Sequence, residues 1–206
     1  MKIQDLTFRE IDHHYFLLEN KKDIERVGKS IHKKNEYPML LRGFIDHTEG
    51  LSFRVLGPIS FMDHSLSLDV EYRENEIIIR YDFFEKFEIN KVEIDITHKI
   101  DGIQEIETDM EKYDTPEFLK NTREDTSLDE YRDLRLIDDI QFLLITKQGT
   151  EENLWARIEE KKENGLLLCT MLDAPPKKFG LKDGDKIYVK YIDHPKYKGL
   201  AFVKKA

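Results

Sequence analysis

"NLWARIEEKKENGLLLCTML", residues 153–172, decides how the last third of the chain folds. It holds the single tryptophan, Trp155, and the single cysteine, Cys169, of a 206-residue chain that is 36% charged. In "NLWARIEE", Leu154, Ala156 and Ile158 alternate with Trp155, Arg157 and Glu159, the period of a strand with one face buried. "LLLCTML" is apolar on both faces, as a central strand would be. Lys161 to Gly165 are all non-apolar. Asn164-Gly165 is a strong short hairpin signal, because both residues tolerate the positive φ of a tight turn. Arms and turn therefore read as one hairpin.

Downstream, "DAPPKKFG" carries two prolines that prevent ladder pairing. "LKDGDKIYVKYI" then sets Gly184 between two aspartates, as a turn requires, and alternates Ile187, Val189 and Tyr191 with Tyr188 and Lys190. Upstream, "IQFLLIT" reads as another strand. The expected product is a small, strongly curved antiparallel sheet or barrel over residues 134–206.

The run from about Leu134 to Asp193 resembles the YegJ-like bacterial domain family, whose function is uncharacterised. The resemblance rests on Glu152, Leu154 and Trp155, then Gly165, Leu172 and Pro175, then Leu181, Gly184 and Asp185, and last Ile192-Asp193. The chain departs from that pattern at Asp173-Ala174, where the family has Asn before the proline, and at His194, where it has Trp. The resemblance implies a bacterial α+β module and carries over no catalytic residue.

Residues 1–100 read as a separate α+β unit. "NKKDIERVGKSIHKKN", residues 20–35, places Ile24, Val27 and Ile31 on one helical stripe behind an Asn20 N-cap. After Tyr37-Pro38 the pattern turns to strands: "MLLRGFI", "LSFRVLG", "SLSLDVEY", "EIIIRYDFF" and "KVEIDITH". "RENE" between the third and fourth predicts a hairpin at Glu74 and Asn75. The overall class expected is α+β: a helix with an antiparallel sheet, an acidic and partly helical connector over 101–133, and the strand-rich unit over 134–206.

From Asp101 to Asp139 there are 14 acidic and 5 basic residues, enough to account for the whole net charge of −9. Helix-like patches occur at "PEFLKN" and "SLDEYRDLRL", where Ser127 is a candidate cap and Leu128, Tyr131, Leu134 and Arg135 sit at helical spacing. An acidic balance disfavours nucleic acid, since phosphate contacts need clustered Lys and Arg. No window is apolar enough for a membrane span, and "MKIQDLTFREIDHH" lacks the apolar core of a signal peptide. A lone Cys169 in an apolar run reads as a small buried residue in a reducing compartment, which points to the cytoplasm.

No nucleotide, hydrolase, zinc-protease or C-x-x-C motif is present, and no cofactor is expected. The expected function is a non-catalytic binding protein. Its acidic character resembles that of bacterial immunity-type proteins, which neutralise basic toxins by contact. Asp125, Asp129, Glu130 and Asp133 are the candidate docking residues for a basic protein partner, and Trp155 with Arg157 is a candidate binding anchor. The alternative is a metal-dependent enzyme. Asp-His occurs four times, at Asp12-His13, Asp46-His47, Asp63-His64 and Asp193-His194. Carboxylate and imidazole suit divalent ions, which makes Asp46, His47, Asp63 and His64 the metal candidates. Adjacent strand residues point to opposite faces, so the plainer reading of these pairs is strand-ending turns.

Overall fold

The computed structural model describes residues 1–62, 65–68, 72, 74–93, 100, 102–145, 151–175 and 179–206; for 60–62, 65–68 and 151 it describes the backbone alone. The fold is α+β, in two compact units, Met1–Asp114 and Thr115–Ala206.

The first unit opens with a helical turn, α1 (Phe8–Ile11), that carries a complete capping box between Thr7 and Glu10. Strand β1 (Tyr15–Leu18) and helix α2 (Lys21–Ser30) follow. The Asn20 side chain accepts from Lys22 N at 3.0 Å, as the sequence predicts. The helix ends five residues before the expected Asn35. His32 adopts φ +58°, and Lys33 N turns back to Gly28 O at 2.8 Å. A long antiparallel hairpin, β2 (Met39–Asp46) and β3 (Gly50–Met62), forms the centre of the sheet. The edge is completed by β4 (Ser65–Leu68), β5 (Ile78–Arg80) and β6 (Asn90–Val92), in the order β4-β3-β2-β1-β6 with β5 also on β3.

Two expectations change here. "RENE" does not join β4 to β5: both pair with β3, at Ile59–Met62 and at Ser52–Arg54, and Tyr72 and Glu74 are helical. A 13-residue strand offers two separate stretches of edge, and the long β3 takes both segments. "EIIIRYDFF" is a three-residue strand followed by helix α3 (Tyr81–Phe84), because Phe84 packs against Phe53 and Phe87 at ring separations of 5.0 and 5.1 Å. The predicted alternation at Ile94 and Ile96, and at Val70, lies outside the described residues.

Each sheet face has its own cover. Phe16 and Phe53 meet edge to face at 6.0 Å and continue into Phe84 and Phe87, over which α2 lays Arg26 at 4.5 Å. The opposite face carries Tyr15, Leu40 and Phe44, and is covered by helix α4 (Ile103–Met110) through Ile103, Ile106 and Met110. Gly43 allows the close approach of α1: a Cβ there would lie 2.3 Å from Ile11 O.

The second unit begins with helix α5 (Glu117–Glu124) and a 3-10 turn over Thr126–Tyr131. The helix predicted through Arg135 stops at Tyr131. Arg132 bridges to Ile140, the Asp133 carboxylate accepts from Arg135 N and Leu136 N, and Leu134 is left 76% exposed. Strands β7 (Asp139–Ile145), β8 (Glu151–Lys161), β9 (Leu167–Met171), β10 (Lys186–His194) and β11 (Tyr197–Lys205) close into a ring. Four junctions are antiparallel; β11 meets β7 in parallel at Ala201 and Leu143. Inside lie Leu154, Ala156, Ile158, Leu167, Cys169, Met171, Ile187 and Val189, joined by Leu119 of α5 and Leu128 of the 3-10 turn. Leu168 and Thr170 of β9 are half-buried, so this strand alternates instead of being buried on both faces.

The acidic stretch is therefore shared between two cores, with α4 in the first and residues 115–131 in the second. This places the division at Asp114–Thr115, inside the connector expected over 101–133. Its apolar residues Ile103, Ile106, Met110, Leu119 and Leu128 recur at spacings that bury one side, and each such side chain contributes about 1.5–3 kcal/mol when fully buried.

The β8–β9 turn refines the Asn-Gly reading. Gly165 N donates to Lys162 O at 2.9 Å, and Lys162 N donates to Leu166 O at 2.8 Å. Only Gly165, at φ +76°, has the left-handed backbone; Asn164 instead accepts from Leu166 N through its side chain. This is the wider hairpin loop in which a turn is followed by a left-handed glycine. A Cβ on Gly165 meets nothing within 4 Å. Gly165→Val should therefore cost backbone strain alone, on the order of 1–3 kcal/mol, and Gly165→Asn distinctly less. Thermal melts of both variants check this; an equal loss in the two would place the strain elsewhere.

Candidate functional site

The residues singled out in the second unit are mostly engaged within it. Asp125 caps the 3-10 turn through Ser127 N at 3.0 Å and binds Lys161 Nζ at 2.7 Å. Partial burial raises its pKa, but the Lys161 and Ser127 hydrogen bonds outweigh that and leave it below the usual aspartate value. Asp133 is lowered in the same way by the Leu136 and Arg135 amides. Asp129 lies 3.5 Å from Arg132 Nε. Glu130 is exposed and bonded to Tyr131, whose hydroxyl is pushed up to about 12 by burial and by that carboxylate.

Arg157 is bidentate to Asp139, its cross-strand partner, at 2.6 and 3.0 Å, and this hydrogen bonding raises the guanidinium pKa further. Trp155 is half-buried on the outer side of the ring, and its backbone N–H donates to Asp173 at 2.7 Å. The two are neighbours on one strand face, but Arg157 is held by Asp139. Arg123 and Asp138 form a buried bidentate pair at 3.0 and 2.7 Å that ties α5 to the residue just before β7. Cys169 is fully buried, which raises its thiol pKa strongly.

The Asp-His pairs are placed one by one. Asp46 ends β2 and accepts from Thr48 N and Glu49 N at 2.8 and 2.9 Å, making the β2–β3 turn. His47 follows it in that turn. His194 ends β10, accepts from Lys196 N at 3.3 Å and stacks on Tyr197 at 5.8 Å. Asp63 and His64 lie outside the described residues. Among the described residues, no three His, Cys, Asp or Glu side chains lie close enough to hold a metal ion.

A different constellation lies in the first unit. The sheet register sets Tyr15 opposite Arg42 on β1 and β2, and Arg42 opposite Arg54 on β2 and β3. Directly opposed residues have Cβ atoms about 4.5–5.5 Å apart on one face. That face also carries Leu40 and Phe44 and is covered by α4, so both arginines sit in a core: their side chains are 4% and 1% exposed. Glu107 of α4 grips Arg42 bidentately, Oε1 to Nε at 2.6 Å and Oε2 to Nη2 at 2.8 Å. The Tyr15 hydroxyl bonds the same carboxylate, and burial plus that charge raise its pKa strongly. His13, at φ +59°, brings Nδ1 to 3.2 Å from Arg42 Nη2. Arg54 reaches Asp109 Oδ2 at 3.5 Å.

Sequence reading missed this group. The available signal was a single arginine inside each of the otherwise apolar runs "MLLRGFI" and "LSFRVLG". A charge at the centre of a strand covered on both faces must be buried, and a buried charge needs a partner.

No protein-family model, curated protein or solved structure matches the chain.

Two outcomes follow. Glu107→Gln should destabilise by about 3–5 kcal/mol, because it leaves Arg42 buried without its counter-charge; denaturant unfolding measures it, and a loss under 1 kcal/mol would show the pair to be dispensable. Asp125→Asn should lower stability slightly at neutral pH. Since the folded-state pKa of Asp125 is depressed, its contribution is complete above the ordinary aspartate range near pH 4 and is lost as pH falls through the lower folded value. The difference in Tm between variant and wild type should shrink below pH 4; a constant difference would mean the capping bond, not the charge, carries it.

Proposed function

We propose that the protein is a non-catalytic binding protein that takes a basic protein partner on the acidic surface of its first unit. The carrying observation is where the charge lies. Met1–Asp114 holds 25 of the 42 acidic residues and 16 of the 33 basic ones, whereas Thr115–Ala206 holds 17 of each. The whole net charge of −9 thus belongs to the first unit.

Helix α4 supports this reading. Its apolar residues face the sheet, while Glu105 and Asp109 on the helix, and Glu111 and Asp114 just after it, are exposed. Carboxylates grouped on an exposed edge create a field that accelerates encounter with a basic surface, and salt weakens that field over about 8–10 Å. In the second unit, Lys161 pairs with Asp125 and offsets part of its field, and the Asp133 carboxylate is turned onto backbone amides of its own turn.

Replacing Glu105 and Glu111 with Gln and Asp114 with Asn should slow association with a captured basic partner about tenfold at low ionic strength and flatten its salt dependence. Folding stability should stay within about 0.5 kcal/mol, the usual range for exposed substitutions. Partners are captured at low salt from cells that express the protein, then purified for kinetics. Identical partners and an identical salt response for both forms would sink the proposal.

A further inference from the structure

We propose that Arg54, together with Arg42, forms a binding site for a small phosphate-class oxyanion beneath helix α4. The evidence is an imbalance of donors. Among the described residues, Arg42 Nη1, Arg54 Nε and Arg54 Nη1 are buried without a hydrogen-bond partner. Arg42 is otherwise well served: Glu107 takes Nε and Nη2, and His13 lies beside Nη2. Arg54 is not. Among the described residues its one polar side-chain contact is Asp109 Oδ2 at 3.5 Å, at the limit of a hydrogen bond, and that carboxylate is 61% exposed. A guanidinium cannot shed its proton, so Arg54 remains a cation in the core.

Orphaned buried donors on a charged group cost several kcal/mol unless something supplies acceptors. Glu107 answers Arg42 alone, through the planar fork that carboxylates prefer. The three free donors lie on two separate guanidinium groups. That exceeds the two coplanar oxygens of one carboxylate and matches a tetrahedral oxyanion, which presents acceptors in several directions. The cross-strand register sets the two side chains on one face of adjacent strands, so the site rests on the sheet itself. Entry lies at Asp109. Because Arg54 Nη2 touches this largely exposed side chain, the guanidinium lies one side chain below solvent, and an anion need only displace a weakly held carboxylate. The two carboxylates that bond these arginines among the described residues have different roles: Glu107 neutralises Arg42, and Asp109 competes for Arg54.

The test uses the full chain and inorganic phosphate, with acetate as comparator and ionic strength held constant by sodium chloride. Titration calorimetry and thermal melts should show saturable phosphate binding at one site per chain, with a Tm that rises with phosphate and does not rise with acetate. Asp109→Asn removes the competing carboxylate and should tighten phosphate severalfold. Arg54→Met removes the unmatched cation; it should fold at least as well as wild type without phosphate and lose the phosphate-dependent rise. A phosphoserine arm separates sources: tighter binding than inorganic phosphate assigns a phosphate monoester, weaker binding assigns the free ion, and either supports the site. The proposal is overturned if neither wild type nor Asp109→Asn binds phosphate saturably, if Arg54→Met keeps the response, or if acetate reproduces it. Should Arg54→Met fail to fold, Asp109→Asn is compared with Glu111→Gln, which removes an exposed charge elsewhere on the same edge: tightening by Asp109→Asn alone supports the site, and equal tightening by both overturns it.

Discussion

The bidentate pair between Arg42 and Glu107 fixes the first unit's arrangement. Arg42 is on the central strand β2, and Glu107 is the polar position of an otherwise apolar helical face formed by Ile103, Ile106 and Met110. Apolar burial alone would hold α4 against the sheet but would leave its register free to slide, since one aliphatic side chain replaces another at little cost. A buried guanidinium allows no such freedom. It needs its carboxylate within hydrogen-bond reach, so α4 has one position along the sheet at which Glu107 meets Arg42 and Tyr15 together. The pair's net stabilisation is small by the usual balance of desolvation against attraction; its contribution is to specify the docking.

The second unit uses the same device twice. Arg123 with Asp138 and Arg157 with Asp139 are both bidentate, and the two aspartates are consecutive, one just before β7 and one at its first position. One ties helix α5 to the ring and the other locks β7 to β8 in register. Arg132 adds hydrogen bonds to the carbonyls of Ile137 and Thr122, closing the segment between helix and strand. Arg123, Arg132, Arg135 and Arg157 all lie within ion-pair reach of carboxylates of the acidic stretch, which ties that charged run to the fold.

Several elements were legible in the sequence because local chemistry decides them. The Asn20 cap, the alternation of Leu154, Ala156 and Ile158, and the glycine turns at Gly165 and Gly184 depend on neighbours a few residues away. The rest depends on distant partners. β1 is four residues of "YFLL" with no period to read, and it is a strand because β2 and β6 pair with it on both sides. β4 and β5 look like a hairpin by sequence spacing, but the longer β3 outcompetes each for the other. The acidic stretch reads as a connector because charge count hides its helical stripe. The candidate carboxylates Asp125 and Asp133 were visible as charges but not as caps, since a cap is defined by the amides that approach it.

Buried arginines in strands are where local and global requirements disagree, and such disagreements concentrate at sites under a demand other than stability. A methionine or leucine at position 54 would fill the same space without a desolvated charge, and replacements of that kind are often neutral or stabilising. Arg42 has a structural reason to be present, because Glu107 and Tyr15 use it to place α4. Among the described residues Arg54 has none of that kind: its only polar side-chain contact is a long one to a largely exposed aspartate, and its removal would leave no buried carboxylate unmatched. The asymmetry between two arginines in register on adjacent strands is therefore chemical. One is neutralised by the fold, and the other remains a cation with donors to spare, which is the condition for recognising an anion from outside.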